Sequence, residues 1–209
     1  MKIVSLIRWI AIAVLGIVLT VIGVIEFVNL KKAPKDLTDP ETDWTELAVG
    51  DHVKMNLNAL FDPFVITTKD DGTETMRDYA MPQLVYSESG DSINIRNYIG
   101  IHVNDKDLFA DYDRLAEETV DWWLDDEAFE FNPQTIEIDG IVKEMDDESI
   151  GYFKEYLEDM GYEDDFIEDT CYKYAVYPAQ TGLPIIMIIG VLVTLFGIGA
   201  TVFSVIKRK

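Results

Sequence analysis

The chain has 209 residues, with 17 basic and 39 acidic side chains and a formal net charge of −22. The charge is segregated: residues 36–180 hold 38 acidic and nine basic side chains, a net charge of −29, while both ends are apolar. A surface of that sign repels nucleic-acid phosphates and anionic lipid headgroups, which excludes a nucleic-acid-binding role and a domain that lies flat on an anionic membrane.

The first predicted element is a membrane-spanning helix over residues 9–30, preceded by a short cytoplasmic tail over residues 1–8. Trp9–Ile25 carries no charge, and a spanning helix needs about 20 mostly apolar residues. Glu26 lies near one end of the segment, where its carboxylate reaches the headgroup region. The run is longer than the ~7–15 apolar residues of a signal peptide, and no small-x-small cleavage site follows it. We therefore expect an uncleaved anchor.

A polar linker is predicted next, over residues 31–43, because Pro34 and Pro40 interrupt the chain there. It leads into a single acidic domain over residues 44–180. Aromatic and β-branched residues run through the whole of this domain, which excludes a disordered acidic tail. Roughly 150 residues are enough to bury a hydrophobic core.

The first half of the domain is predicted to consist of strands. Apolar and polar residues alternate along it with the period of a half-buried strand, and Asp62-Pro63 is expected to interrupt the first run. Gly100 is expected to mark a bulge in a later strand. The predicted strands are His52–Thr68, Gln83–Ser87 and Ser92–Val103, with turns at Lys69–Gly72 and Glu88–Asp91.

The second half alternates helices with strands. Apolar residues recur at spacings of three and four in both predicted helices, Asp146 or Asp147 caps the second one, and Gly161 stops it. The predicted elements are the helix Leu108–Leu124, the strand Thr135–Lys143, the helix Glu148–Met160 and the strand Phe166–Val176. This order predicts an α+β fold, with two helices on a mostly antiparallel sheet or a small open barrel.

A second spanning helix is predicted over residues 183–206, followed by a basic cytoplasmic tail over residues 207–209. The segment holds no charge over 24 positions, and Pro184 falls in its first turn, where a missing N–H does no harm. Two spans place both termini on one side of the membrane. Five Lys and Arg residues lie on that side and four on the other, so we expect cytoplasmic termini and an extracytoplasmic domain in the cell membrane. The Lys31-Lys32 pair favours the opposite orientation.

Small residues repeat at a spacing of four along both predicted spans, so each pair lies on one helical face. Such faces let helices approach closely in lipid, and ordinary glycine usage in membrane helices is the alternative reading. If the faces matter, the spans pack on each other or on a second copy of the chain, giving a homo-oligomer. The residues are Gly16, Thr20, Gly190, Thr194, Gly197 and Thr201.

Clusters of acidic residues are the candidate metal ligands. Ca²⁺ takes carboxylate oxygens of this kind, but no run matches an EF-hand loop, so a solvated surface is the competing reading and the one that composition favours. The candidates are Asp125, Asp126, Glu127, Glu163, Asp164 and Asp165. A further acidic run, Asp146-Asp147-Glu148, is assigned to helix capping.

No catalytic motif is present in the sequence: no Gly-x-Ser-x-Gly, phosphate-binding glycine loop, His-Glu-x-x-His or Cys-x-x-Cys. His52 and His102 are predicted to be surface side chains, and Cys171, the single cysteine, a small buried residue. We predict no cofactor and no enzymatic activity.

The layout resembles uncharacterised bacterial two-span membrane proteins with an α+β extracytoplasmic domain. The two spans carry the resemblance, together with the runs Tyr98–Val103 and Ile138–Lys143. Such families have no assigned activity, so the resemblance implies no functional residues. It leaves two hypotheses: a non-catalytic module that binds or scaffolds another membrane or envelope protein, and an extracytoplasmic sensor of a divalent cation or cationic ligand.

Overall fold

The computed structural model describes residues 2–87, 92–124, 133–179 and 183–206. The chain divides into two compact units. One contains both chain ends and consists of two long helices. The other, Ala33–Pro178, contains a sheet with its covering helices.

The helix unit consists of α1 (Lys2–Asn29) and α5 (Leu183–Ile206). Within them, Leu6–Asn29 and Ile186–Ile206 are long and apolar enough to cross a membrane. The two helices run antiparallel, since Gly16 faces Thr194 while Gly23 faces Met187. The two terminal apolar helices predicted from the sequence are therefore present.

Glycine sets the closeness of the two helices. A Cβ atom on Gly16 would lie 2.5 Å from the backbone nitrogen of Thr194, and one on Gly197 would lie 2.6 Å from that of Ala13. No side chain fits at such distances. The hydroxyls of Thr20 and Thr194 donate to the carbonyls of Gly16 and Gly190 within their own helices. The small-residue faces thus pack on each other within one chain.

The other unit is built on one mixed, open sheet of six strands. Its order is β1-β5-β6-β4-β3-β2, and every neighbouring pair is antiparallel except β4 and β6, which are parallel. The predicted α+β class is confirmed, and the sheet is open. The strands are β1 (His52–Leu57), β2 (Phe61–Thr68), β3 (Glu74–Tyr86), β4 (Ile93–Val103), β5 (Ile136–Glu144) and β6 (Cys171–Pro178).

Three helices cover the sheet: α2 (Phe109–Leu124), α3 (Asp147–Asp159) and α4 (Asp164–Thr170). The carboxylate of Asp146 caps α3 by accepting a hydrogen bond from the Ser149 N–H at 2.8 Å. Gly161 follows α3 at φ +91°, a left-handed conformation that suits glycine.

Three local predictions are wrong. Residues 166–170 form the end of α4 rather than a strand, because Ile167 and Thr170 are the buried residues of a short helix that begins with acids. The first strand breaks at residues 58–60 rather than at Asp62-Pro63; Pro63 lies within β2, an edge strand that tolerates proline. β3 begins at Glu74, nine residues before the predicted strand.

Apolar clusters lie on both faces of the sheet, because successive residues of a strand point to opposite sides. The first face carries Ile99, Ile101 and Val176, closed by Trp44 and by part of α2. The second face carries Tyr98 and Ala175, closed by α3 and α4.

The segment predicted as a linker contributes to the first face. Leu37 is 1% exposed, and Lys35 pairs in parallel with Val53 on β1. The Gln83 amide donates to the carbonyl of Thr42 at 3.0 Å. Residues 33–43 therefore belong to the sheet unit, which begins at Ala33, and they are anchored to it by the buried Leu37.

Candidate functional site

The second face of the sheet carries a group of polar side chains beside its apolar cluster. Asp78 on β3 is the register partner of His102 on β4, and the ring of Tyr177 on β6 stacks on that histidine. Lys143 on β5 places its ammonium over the Tyr177 ring. These four residues, here called the His102 stack, bring together side chains from four strands.

The contacts within the stack are short. His102 Nδ1 lies 2.7 Å from Asp78 Oδ1, and the His102 and Tyr177 ring centroids are 4.1 Å apart at 21° between planes. Lys143 Nζ lies 5.0 Å from the Tyr177 centroid, within the range of a cation–π interaction. The side chains of His102 and Asp78 are 15% and 5% exposed, so their contact is largely shielded from solvent.

The stack crosses the one parallel junction of the sheet. Among the described strands, β2-β3-β4 form one antiparallel triplet and β1-β5-β6 another, and strand pairing joins the triplets where β4 meets β6. The register there is irregular, because Tyr98 pairs with Cys171 and Gly100 pairs with Ala175. Between these two pairs the chain advances two residues along β4 but four residues along β6. The extra residues belong to β6 rather than to β4, so the bulge predicted at Gly100 lies on the neighbouring strand.

Hydrogen bonding defines the neutral form of the His102 ring. An ionised carboxylate only accepts, so Nδ1 must carry the proton that is shared with Asp78 Oδ1. Nε2 then holds the lone pair, and none of the described residues hydrogen-bonds to it. A histidine oriented in this way by a carboxylate offers one basic nitrogen in a fixed direction.

A second histidine–carboxylate pair lies on the same face. His52 Nε2 on β1 is 2.9 Å from Asp139 Oδ1 on β5, within one triplet rather than across the junction. The His52 side chain is only 9% exposed. His52 is buried and His102 is half-buried, so the prediction that both histidines are surface residues is wrong.

Burial shapes the chemistry of two further groups. It is the main reason that the pKa of the Tyr177 hydroxyl lies above its ordinary value, with smaller contributions from the carboxylates of Asp78 and Asp146. Burial likewise raises the pKa of the Cys171 thiol to about 11, against a weak opposing effect of Lys154. The Cys171 thiol is therefore protonated at neutral pH, as expected of a packed, unreactive residue.

Three of the six predicted metal ligands lie within the described residues. Glu163, Asp164 and Asp165 lie side by side, exposed, at the start of α4. Asp125, Asp126 and Glu127 lie outside the described residues. Across the part of the chain that the structure describes, no three His, Cys, Asp or Glu side chains are placed to hold one metal ion.

Sequence reasoning missed Asp78, Tyr177 and Lys143 as partners of His102. Their positions on the strands are a usable signal, since each side chain points away from the first-face core. The pairing of distant strands is what the sequence does not contain. Without it, a histidine at a polar strand position is indistinguishable from a solvated one.

Comparison with known proteins identifies a family but no activity. A family described as a domain of unknown function, DUF8577, matches residues 1–207. No curated protein and no solved structure matches the chain. The family match includes both apolar helices and the sheet unit, so the chain belongs to this family over nearly its whole length.

Proposed function

We propose that this chain, a member of the DUF8577 family of unknown function, is a membrane protein with two spanning helices and an acidic extracytoplasmic domain. The domain acts as a non-catalytic module that binds a cationic surface of another membrane or envelope protein. The observation that carries this proposal is the excess of carboxylates on a well-packed unit: 38 acidic against nine basic residues over 36–180.

The helix pair supports the membrane part of the proposal. Large apolar side chains cover the outside of α1 and α5, including Val14, Ile22, Leu192 and Phe203, each at least 49% exposed. The inner faces are occupied by the glycine contacts. A helix pair that is apolar all round is suited to hydrocarbon rather than to water. Its antiparallel arrangement supports the expectation that both termini lie on one side of the membrane.

The charge distribution supports the binding part. With four acids for each base over residues 36–180, most carboxylates have no lysine or arginine of the same region to pair with. Such a surface attracts a cationic partner at long range and repels an anionic one. Positively charged loops or tails of another protein match this chemistry.

Cysteine labelling in intact cells tests the orientation. Cys171→Ser removes the native thiol, and Asp70→Cys places a new one in the exposed turn between β2 and β3. We expect a membrane-impermeant maleimide to label Asp70→Cys in intact cells, and to label a matched Lys209→Cys variant in the basic tail only after lysis. The reverse pattern would put the acidic domain in the cytosol and refute the proposal.

A charge-matched pair of variants tests the binding mode. One variant replaces the four exposed acids of α4 by the corresponding amides, and the other exchanges Asp for Glu and Glu for Asp so that the charge is kept. The four residues are Asp164, Asp165, Glu168 and Asp169. Crosslinking in native membranes should yield less product with the amide variant and with added salt, but not with the charge-preserving variant. Equal product from both variants would contradict an electrostatic partner site on α4.

A further inference from the structure

The junction between β4 and β6 is where the two strand triplets of the sheet join. Its hydrogen-bonded register is irregular, and among the described side chains the His102 stack reaches across it from β3 through β4 and β6 to β5. The irregular step lies between Tyr98 and Gly100, and the contact of His102 with Tyr177 follows the regular Gly100–Ala175 and Ile101–Val176 pairs next to it. A change within the stack acts on both triplets.

We propose that His102 is a proton-binding site, and that its occupancy sets how β4 and β6 are held together. The ligand is the proton itself, taken from solvent by Nε2. The Asp78 carboxylate keeps the other nitrogen protonated, so Nε2 is the position that gains or loses the proton. The proposal concerns the sheet unit alone and holds for either orientation of the domain.

Protonation changes both contacts of the ring. A neutral ring gives Asp78 a hydrogen bond and stacks on Tyr177 as one aromatic on another. A charged ring makes an ion pair with the same carboxylate and places a cation on the face of the tyrosine. The contact on β3 and the contact on β6 therefore change together, without any large movement of the side chain.

The charged groups around the stack act in opposite directions. Asp78 on β3 attracts the imidazolium at 2.7 Å. Lys143 on β5 repels it from beyond the Tyr177 ring, 5.0 Å from the ring centroid. Tyr177 on β6 is neutral at physiological pH, and its hydroxyl also experiences Asp146 at the start of α3. Because Asp78 and Lys143 act on the ring in opposite directions, Asp78→Asn and Lys143→Gln form a pair of matched variants.

The test is a pH titration of the full chain in detergent, observed by NMR of isotope-labelled histidine. The chain has two histidines, so two titrating rings are expected, and His102→Gln identifies one by its loss. Asp78→Asn should move the His102 midpoint to lower pH, and Lys143→Gln should move it to higher pH. The His52 ring, paired with Asp139, should move in neither variant.

The backbone of the junction provides the second readout. Ile101 and Val176 are register partners across it, and their amide signals should change with the same midpoint as His102. That pH-dependent step should disappear in His102→Gln, where the amide side chain can still donate to Asp78. It should persist in His52→Gln.

Two results would overturn the proposal. One is that the amide signals of Ile101 and Val176 stay constant over the pH range in which the His102 ring signal changes. The other is an unchanged His102 midpoint in Lys143→Gln, a variant at a partly exposed position that leaves the core intact. The second result keeps the proposal testable even if Asp78→Asn does not fold.

Discussion

The helix pair and the sheet unit reach close packing by opposite means. Between α1 and α5 the closest contacts are made at glycines, where backbone lies on backbone at Gly16 and Gly197, while the rings of Trp9 and Phe196 also meet edge to face. In the sheet unit large rings fill the space, as where Phe64 stacks on Phe153 with centroids 4.2 Å apart. The first interface is harmed by adding atoms and the second by removing them.

This difference follows from the surroundings that each region suits. Hydrocarbon gives two apolar helices no hydrophobic reason to associate, so close van der Waals contact between small faces must supply the attraction. Water supplies the driving force for the sheet unit, roughly in proportion to the apolar area buried, which favours large side chains. A change of side-chain volume at one position, compared with the same change at a nearby position, therefore tests each region.

The largest expected effect is the loss of a ring from the second face. Phe153→Ala removes a fully buried side chain that stacks on Phe64, and such truncations cost about 3–5 kcal/mol of unfolding free energy. Denaturant unfolding of the full chain in detergent, followed by circular dichroism, measures it. Tyr152→Ala, one residue earlier but 45% exposed, should leave the transition nearly unchanged. Equal effects of the two variants would contradict the assigned core.

The next effect is the addition of a methyl group between the helices. Gly197→Ala places a Cβ 2.6 Å from the backbone nitrogen of Ala13, so the helices must separate, at a cost of about 1–3 kcal/mol. Gly199→Ala, two residues along the same helix, meets nothing within 4 Å and should be tolerated. This pair of alanine variants tests the helix interface in the way that Phe153 and Tyr152 test the core.

Disulfide trapping reports the helix separation. A Cβ on Gly23 would lie 3.7 Å from Met187 Cβ, close to the mean for a disulfide, so Gly23→Cys with Met187→Cys should crosslink in a Cys171→Ser background. We expect Gly197→Ala to slow that reaction and Gly199→Ala to leave it unchanged. A crosslinked dimer in place of an intramolecular bond would show that the faces pair between copies.

The same contrast explains what the sequence could predict. The helix interface depends on small residues four apart within each helix, a local pattern that is legible at Gly16 and Thr20 or Gly190 and Thr194. The α+β class was also predictable, because strand and helix periods differ. α4 was missed since a seven-residue helix that leads directly into a strand offers too few turns for its period to appear.

The remaining parts depend on contacts between distant residues. β3 was largely missed because residues 78–83 are buried on both faces, which removes the alternation that reveals a strand. The His102 stack was missed for a different reason. Its members come from four strands, and Asp78 lies 24 residues before His102, so only the register of the sheet brings them together.

A smaller, stabilising effect is expected where glycine has no structural task. Gly151 is exposed within α3, and an added Cβ meets nothing within 4 Å, so Gly151→Ala should raise the unfolding free energy by about 0.5–1 kcal/mol. Gly140→Ala is the opposite case, since its Cβ would lie 2.6 Å from the Tyr177 carbonyl oxygen. Thermal unfolding of both variants measures the difference. A destabilised Gly151→Ala would contradict the open surroundings assigned to α3.

The smallest expected effect is chemical and leaves the fold unchanged. Burial raises the pKa of the Cys171 thiol to about 11, so the reactive thiolate is scarce at neutral pH and becomes abundant only as the pH rises toward that value. Iodoacetamide should therefore modify Cys171 slowly at pH 7.5, and much more slowly than an exposed thiol introduced by Asp70→Cys. The rate should still be rising with pH above 9, where an ordinary thiol near 8.5 is already mostly ionised. Equal rates at the two positions would mean that the second face is open to solvent beside β6. That outcome would mean that the side chains beside β6 are loosely packed. The sheet unit would then lack, at that place, the core of aromatic rings that distinguishes the sheet unit from the helix pair.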